Sequence, residues 1–369
     1  MIYLDYNATT PIDKEVADAM IPFIYDYYGN PSSSHAAGQK VKTSIESARQ
    51  QVAAFLNCES AEIIFTGGGS ESNNTVIKGV AHSYKQKGNH IITSKIEHPA
   101  VLHPCQFLEQ LGYEVTYLPV DQHGLVNPDD VARSLTDKTI LVTVMHSNNE
   151  TGTIQPIREI AEICRKNDVL FHTDASQSAG KIPLDVKELD VDFLTIAGHK
   201  LYAPKGIGAL YIRKGIQIEP LIHGAGHESG RRAGTENTAF IIALGKACEV
   251  ASKTATMDQV KQLTDYFYHQ LADIFGKRIV LNGHPEKRLP NTLNISFLGT
   301  SGHEILEALD DVAASTGSAC HSGQTSLSPV LKAMGVKEEI GRGAIRFSLG
   351  KYTTKAEIEE LVRKLKKII

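Results

Sequence analysis

The feature that most constrains this chain is a rhythm. A short apolar run of β-type residues is followed by a cluster of polar residues and then by a helical stretch, and the unit recurs up to residue 212. The runs are residues 62–65 (EIIF), 90–94 (HIITS), 115–118 (VTYL), 140–145 (ILVTVM), 169–173 (VLFHT), 193–196 (FLTI) and 209–212 (ALYI). Amphipathic helical patterns lie between them, among them residues 41–56 and 157–167. Strands that alternate with helices build a mainly parallel sheet covered on both faces. The expected fold class is therefore α/β, with seven strands in one sheet.

Past residue 212 the rhythm changes. A loop rich in Gly, His and Arg (221–237) leads into a long helical region at about 239–275. Strands are expected near 292–297 and 345–348, and a final helix from Lys355. This pattern reads as a smaller α+β domain. The division places residues 15–255 in a large domain and residues 1–14 and 256–369 in a small one, with the strand at 3–5 returning to the latter. A length of 369 residues suits two such units.

Composition removes several function classes. Net charge is −4 with acids and bases interspersed, so no basic face points to nucleic acid. No apolar run approaches the ~20 residues of a membrane span. The opening MIYLDYNATTP lacks the basic and apolar regions of a signal peptide, and a cytoplasmic location is expected. The five cysteines (58, 105, 164, 248 and 320) are far apart and form no CxxC pair, which argues against a disulfide framework or a cysteine-rich zinc site. Fifteen histidines include no HExxH, which disfavours a metallohydrolase.

Ligands of open parallel sheets bind beyond the carboxyl ends of the strands. Five of these ends carry functional groups: 66–73 (TGGGSESN), Glu97-His98, 146–150 (HSNNE), 174–177 (DASQ) and 197–200 (AGHK). The glycines at 67–69 let backbone N–H groups approach a phosphate, Ser70 adds a hydroxyl, and the next helix offers its positive end. Neither GxxxxGK[ST] nor the third glycine of GxGxxG is present, so ATP and NAD are disfavoured and a smaller phosphate-bearing cofactor remains. Asp174 ends an apolar strand, where a carboxylate needs a partner. Lys200 follows another apolar strand, where a lysine of perturbed pKa can act as Schiff-base nucleophile and base. A phosphate turn, an acid and a lysine on one sheet edge are what pyridoxal phosphate needs.

Several segments then carry a resemblance over nearly the whole chain. They are YLDYNATTP (3–11), VMHSNNETG (144–152), HTDASQSAGK (172–181), GHKLYAPKGIGALYI (198–212), RRAGTEN (231–237), STGSACHSG (315–323) and IRFSLG (345–350). The sequence resembles the cysteine desulfurases, class V members of the fold-type I pyridoxal-phosphate enzymes. The resemblance implies that Lys200 carries the cofactor as a Schiff base and that Asp174 pairs with the ring nitrogen. It places Gln177 near the ring hydroxyl, His98 stacked on the ring as a proton carrier, and Asn149 beside ring and substrate. Gly69, Ser70 and His199 hold the phosphate. Thr235 reaches the phosphate of a neighbouring subunit, which makes a homodimer part of the site. Arg346 binds the substrate carboxylate, for which its planar fork is suited. Cys320 takes the sulfur of L-cysteine as a persulfide and leaves L-alanine.

The stretch 315–326 resembles the longer-looped branch, which hands the persulfide directly to acceptor proteins. Where the family often has serine or threonine, this chain has Ala197; the missing hydroxyl removes one donor, worth about 1 kcal/mol. The acceptor stays open between iron–sulfur assembly, RNA thiolation and DNA sulfur modification. Selenocysteine lyase or another class V enzyme is the alternative activity. A non-catalytic scaffold subunit is the remote one, disfavoured because Lys200, Asp174 and Cys320 are all present.

Overall fold

A computed structural model describes residues 1–252, 255–316 and 327–369. Cys320 lies outside the described residues. The chain opens on a two-residue strand, β1 (Ile2–Tyr3), and then builds seven strands that form one sheet. They are β2 (Ile63–Thr66), β3 (His90–Ser94), β4 (Glu114–Leu118), β5 (Thr139–Thr143), β6 (Leu170–Asp174), β7 (Phe193–Ala197) and β8 (Gly208–Ile212). These are the seven runs read from the sequence.

The order across the sheet is β2-β8-β7-β6-β5-β3-β4. Only β8 runs antiparallel to its neighbours, β2 and β7. Both of those oppose β8, so β2 points the same way as β7, β6, β5 and β3. Their carboxyl ends therefore share one edge. Every residue of β2, β3, β5, β7 and β8 is buried. That accounts for the continuous apolar runs of a sheet covered on both sides.

The covering helices follow their apolar spacing. Helix Ala36–Leu56 buries Val41, Ile45, Ala48, Val52 and Leu56 on one face. It is closed at its end by Asn57 in the left-handed conformation, φ 57°. Helix Ile157–Lys166 buries Ile157, Ile160, Ala161 and Cys164 and leaves its charged side to solvent. The long helical region expected at 239–275 is two helices, Thr238–Ala251 and Ala255–Phe275. Neither Gly nor Pro stands at the junction, so no residue type marks the break.

The last third forms β9 (Ile279–Asn282), β10 (Thr292–Phe297), β11 (Val312–Ala313) and β12 (Ala344–Ser348). An antiparallel sheet of order β12-β10-β9 packs against helices Ala255–Phe275 and Lys355–Ile368. Their apolar core includes Phe267, Leu271, Leu293, Phe297, Phe347 and Leu361, and it also takes in Ile2 and Leu4. β1 pairs with β11, and Asp5 bridges to Ser348, so the first residues are stitched into the last. No helix among the described residues is long and apolar enough to cross a membrane.

Candidate active site

At the carboxyl edge of the large sheet lies a cavity of about 450 Å³. All five polar clusters contribute to its lining: Gly69 and Ser70, His98, Asn149, Asp174 and Gln177, and His199 with Lys200. Asn7, Ala8 and Arg346 close it from the other side.

One end of the cavity is made by the turn after β2. Gly68 has φ +143° and caps the helix Gly69–Ser83, a conformation that side chains rarely adopt. A Cβ on Gly69 would come within 2.9 Å of Ser176 Oγ and 3.4 Å of Ala197 Cβ. Glycine thus keeps the backbone close to both neighbours. The helix start and the Ser70 hydroxyl face the cavity with His199. The hydroxyl of Ser176 stands at this same corner, beside the donor that Ala197 lacks. His199 shares a hydrogen bond with Thr9 Oγ1 at 3.2 Å, and burial pushes its pKa down to about 4, which leaves it neutral at pH 7.

Asp174 ends β6. Its Oδ2 accepts from Asn73 Nδ2 at 2.7 Å and its Oδ1 from the Ser176 N–H at 2.9 Å. The two donors fix the plane of the carboxylate. Lys200 Nζ donates to the carbonyls of Asn7 (2.5 Å) and Ala8 (2.7 Å). Burial, aided by the positive charge of Arg346, pushes its pKa down to about 8. A sizeable free-amine fraction is then present near neutrality.

His98 caps helix Pro99–Gln110, its Nδ1 accepting from the Ala100 N–H at 3.1 Å. That bond leaves Nε2 to carry the ring proton in the neutral form, and burial lowers the pKa further. The preceding residue, Glu97, is buried. Its Oε1 accepts from Ser94 Oγ (2.6 Å) and the Met145 N–H (2.9 Å), and burial pushes its pKa up to about 8.

Arg346 on β12 donates to Asp5 Oδ1 at 2.7 Å and to the Asn149 carbonyl at 3.0 Å. Its buried Nε has no partner among the described residues. Both flanks of the undescribed stretch 317–326 end here: Ser315 exchanges backbone hydrogen bonds with Arg346, and Ser328 Oγ donates to Glu150 Oε2 at 2.5 Å.

Ten of the eleven residues singled out in the sequence are described. Nine of them line the cavity: Gly69, Ser70, His98, Asn149, Asp174, Gln177, His199, Lys200 and Arg346. Thr235 is exposed and does not line the cavity of its own chain. Its segment is tied to the phosphate turn, because Arg232 pairs with Glu71 at 2.9 Å and Glu71 Oε2 accepts from the Gly67 N–H at 2.7 Å. Sequence reading passed over Asn7, Asn73 and Ser176 as individual residues. Asn73 and Ser176 fall inside clusters marked by their place after a strand, and Asn7 falls inside YLDYNATTP, a segment of the resemblance with no strand end to mark it.

The family model for aminotransferase class V matches residues 2–361. A curated relative, the cysteine desulfurase IscS of Dictyoglomus turgidum, is 51% identical over 372 residues, with 100% of this chain and 94% of the relative covered. Among solved structures, a NifS-like protein superimposes with a TM-score of 0.93 at 37% identity, covering 100% of this chain and 98% of the other. Another, described as SspA in complex with cysteine, has a TM-score of 0.86 at 38% identity, covering 96% and 100%.

Proposed function

This chain belongs to the class-V aminotransferases and is a cysteine desulfurase that uses pyridoxal phosphate, and from that premise we propose how its residues divide the work. The observation that carries the assignment is the meeting of Asp174, Lys200 and the Gly69–Ser70 helix start in one cavity. Donors at one end, a fixed carboxylate and a lysine of lowered pKa fit the phosphate, the ring nitrogen and the aldehyde of that cofactor.

When bound, pyridoxal phosphate supplies the sink for the electron pair released at the substrate Cα. The chain's own groups do the rest. Gly69, Ser70 and His199 would hold the phosphate, with the Ser176 hydroxyl at the same corner. Asp174 would hold a proton on the ring nitrogen, Gln177 would meet the ring hydroxyl, and His98 would cover the ring and move protons through Nε2. Lys200 would anchor the cofactor, and its free amine would serve as base for the Cα proton of L-cysteine. Arg346 grips the substrate carboxylate, and Asn149 orients the substrate beside it.

Cys320 takes the sulfur. Its thiolate attacks the substrate sulfur, the carbon–sulfur bond breaks, and a proton delivered to the carbon left behind completes L-alanine. Elimination and reach support this assignment. The four described cysteines are free and none lines the cavity. Burial pushes the thiols of Cys58, Cys105 and Cys164 up to about 12, and that of Cys248 higher still, so none offers a thiolate. Cys320 follows Ser315 by five residues. Five residues span at most about 18 Å, and Ser315 is paired with Arg346 at the cavity. The persulfide then passes to an acceptor protein. In the same reading the active form is a homodimer, in which Thr235 serves the phosphate of the second copy. The division into residues 15–255 and the remainder belongs to this proposal too, supported by the separate apolar core that Ile2 and Leu4 share with the last third.

Cys320→Ser tests the sulfur step. The variant keeps the yellow cofactor and loses sulfide release from cysteine; undiminished release removes Cys320 from the mechanism. Borohydride reduction followed by peptide mapping tests the anchor. Cofactor fixed anywhere but Lys200 defeats the whole assignment.

A further inference from the structure

Lys181 is a buried lysine to which the division of labour above gives no task. It lies in the turn after β6 and is only 8% exposed, an unusual place for an ammonium group. Its Nζ donates to Gln177 Oε1 at 2.9 Å and to Asn7 Oδ1 at 3.0 Å. We propose that Lys181 is a positioning residue that decides which end of the Gln177 amide faces the cofactor. The proposal rests on the reading that the pyridoxal ring lies in this cavity with its hydroxyl towards Gln177.

The argument is one of donors and acceptors. An ammonium group has three donors and no acceptor. A neutral amine still has two protons, one for each of these two oxygens. Burial next to Lys200 and Arg346, the charged groups that face it, drives the Lys181 pKa well below the ordinary lysine value. A neutral amine also has a lone pair, but the Asn7 carbonyl on the other side of the Gln177 amide accepts only, so Lys181 and that carbonyl together turn Oε1 to Lys181. The Gln177 Nε2 then donates to the Asn7 carbonyl at 3.0 Å. Reversing the amide would set Nε2 against the lysine and Oε1 against that carbonyl, losing both bonds. Nε2 has a single acceptor among the described residues, and the side chain lines the cavity, so its second proton is left to face an anionic ring oxygen.

Lys181 acts on Asn7 in the same way. Asn7 Oδ1 accepts from Lys181 and from Asn291 Nδ2 at 3.1 Å, while its Nδ2 donates to Thr292 Oγ1 at 2.9 Å. The carbonyl of that same residue holds both Gln177 and Lys200. One buried amine thus donates to the oxygens of two amides around the ring site, alongside the Asn291 amide and the Asn149 and Asn7 carbonyls that favour the same orientations. Behind it lies a small cavity of about 70 Å³, lined in part by Tyr6, Tyr202 and Met257, which gives an apolar replacement room to settle.

The test uses the full-length protein loaded with pyridoxal phosphate and reads the pH midpoint of its visible absorption band. Lys181→Met removes the donors and nearly keeps the volume. The midpoint is expected to move upward by about one pH unit, because the ring oxygen then relies on the proton of the Lys200 nitrogen alone. Gln177→Leu is expected to produce the same shift. The double variant should shift no further than either single one, since residues in one network are not additive. Lys181→Gln keeps a donor towards Gln177 and should restore the original midpoint.

A midpoint unmoved in Lys181→Met, or a double variant whose shift is the sum of the two, overturns the proposal. If Lys181→Met does not fold, Lys181→Leu takes its place with the same two outcomes, and an unmoved midpoint in Gln177→Leu overturns the proposal by itself. Failure of the underlying reading looks different: the unaltered protein would show no visible band that borohydride fixes on Lys200.

Discussion

The two walls of the cavity are made in opposite ways. The sheet wall is assembled from groups that each end their own strand or follow it by three or four residues: Gly69 after β2, His98 after β3, Asp174 at the end of β6 and Lys200 after β7. The facing wall is assembled from the two ends of the chain, Asn7 from the start and Arg346 from β12. Its bonds join partners 285, 341 and 284 positions apart, from Asn7 to Thr292, Ser348 and Asn291. In the proposed function the first wall carries the proton and electron chemistry of the ring, and the second grips the substrate. A rigid edge of parallel strands suits the former, because each buried strand locks its last residue.

If that contrast holds, substitutions on the two walls fail in different ways. The largest effect belongs to Asp174→Asn, which removes the charge that keeps the ring nitrogen protonated. The turnover rate should fall about a thousand-fold, with a changed visible spectrum and little change in KM. Arg346→Lys on the facing wall keeps the charge and loses the fork. It should raise KM for cysteine roughly ten- to a hundred-fold and leave the spectrum of the resting protein intact. A loss of kcat with unchanged KM in Arg346→Lys would erase the distinction between the walls.

The smallest effect concerns stability. Glu97 sits beneath the sheet wall with its folded pKa raised to about 8 from an ordinary 4.5. Between those values the folded state holds a proton that the unfolded state has lost. Stability contributed by this group is therefore fully present below about pH 4.5 and is lost as pH rises through about 8. The slope is at most roughly 1.4 kcal/mol per pH unit. Glu97→Gln removes the ionisation, and melting temperatures measured from pH 5 to pH 8 should fall less in the variant than in the parent. Equal slopes in the two proteins would assign the loss to other groups.

The same contrast explains what could be read in the sequence. The sheet wall was legible because an apolar strand marks where its carboxyl end is, and a polar group placed there has few other reasons to exist. Asp174 and Lys200 stand out on that ground alone. Asn7 carries no such mark, since its meaning comes from Thr292, Ser348 and Lys181, and no local pattern brings these together. Lys181 reads as a surface lysine until its burial is seen. The missing hydroxyl at Ala197 was legible as a deficit, but Ser176 beside it was not, because only the approach of Gly69 reveals that the two share a corner. The junction after Ala251 escaped for a simpler reason: no Gly or Pro marks it, and good helix formers flank it on both sides.

The stitching of Asp5 and Asn7 into β12 sets a timetable for synthesis. A ribosome makes these residues early, yet Arg346 and Ser348, their partners, emerge more than three hundred residues later. The large sheet can assemble while translation continues, but its cavity stays open on one side until the final strands arrive. A nascent chain halted before residue 344 would hold Lys200 and Asp174 without the wall that keeps substrate in place. Until β12 is made, Lys200 stands on a sheet edge whose facing wall is unfinished.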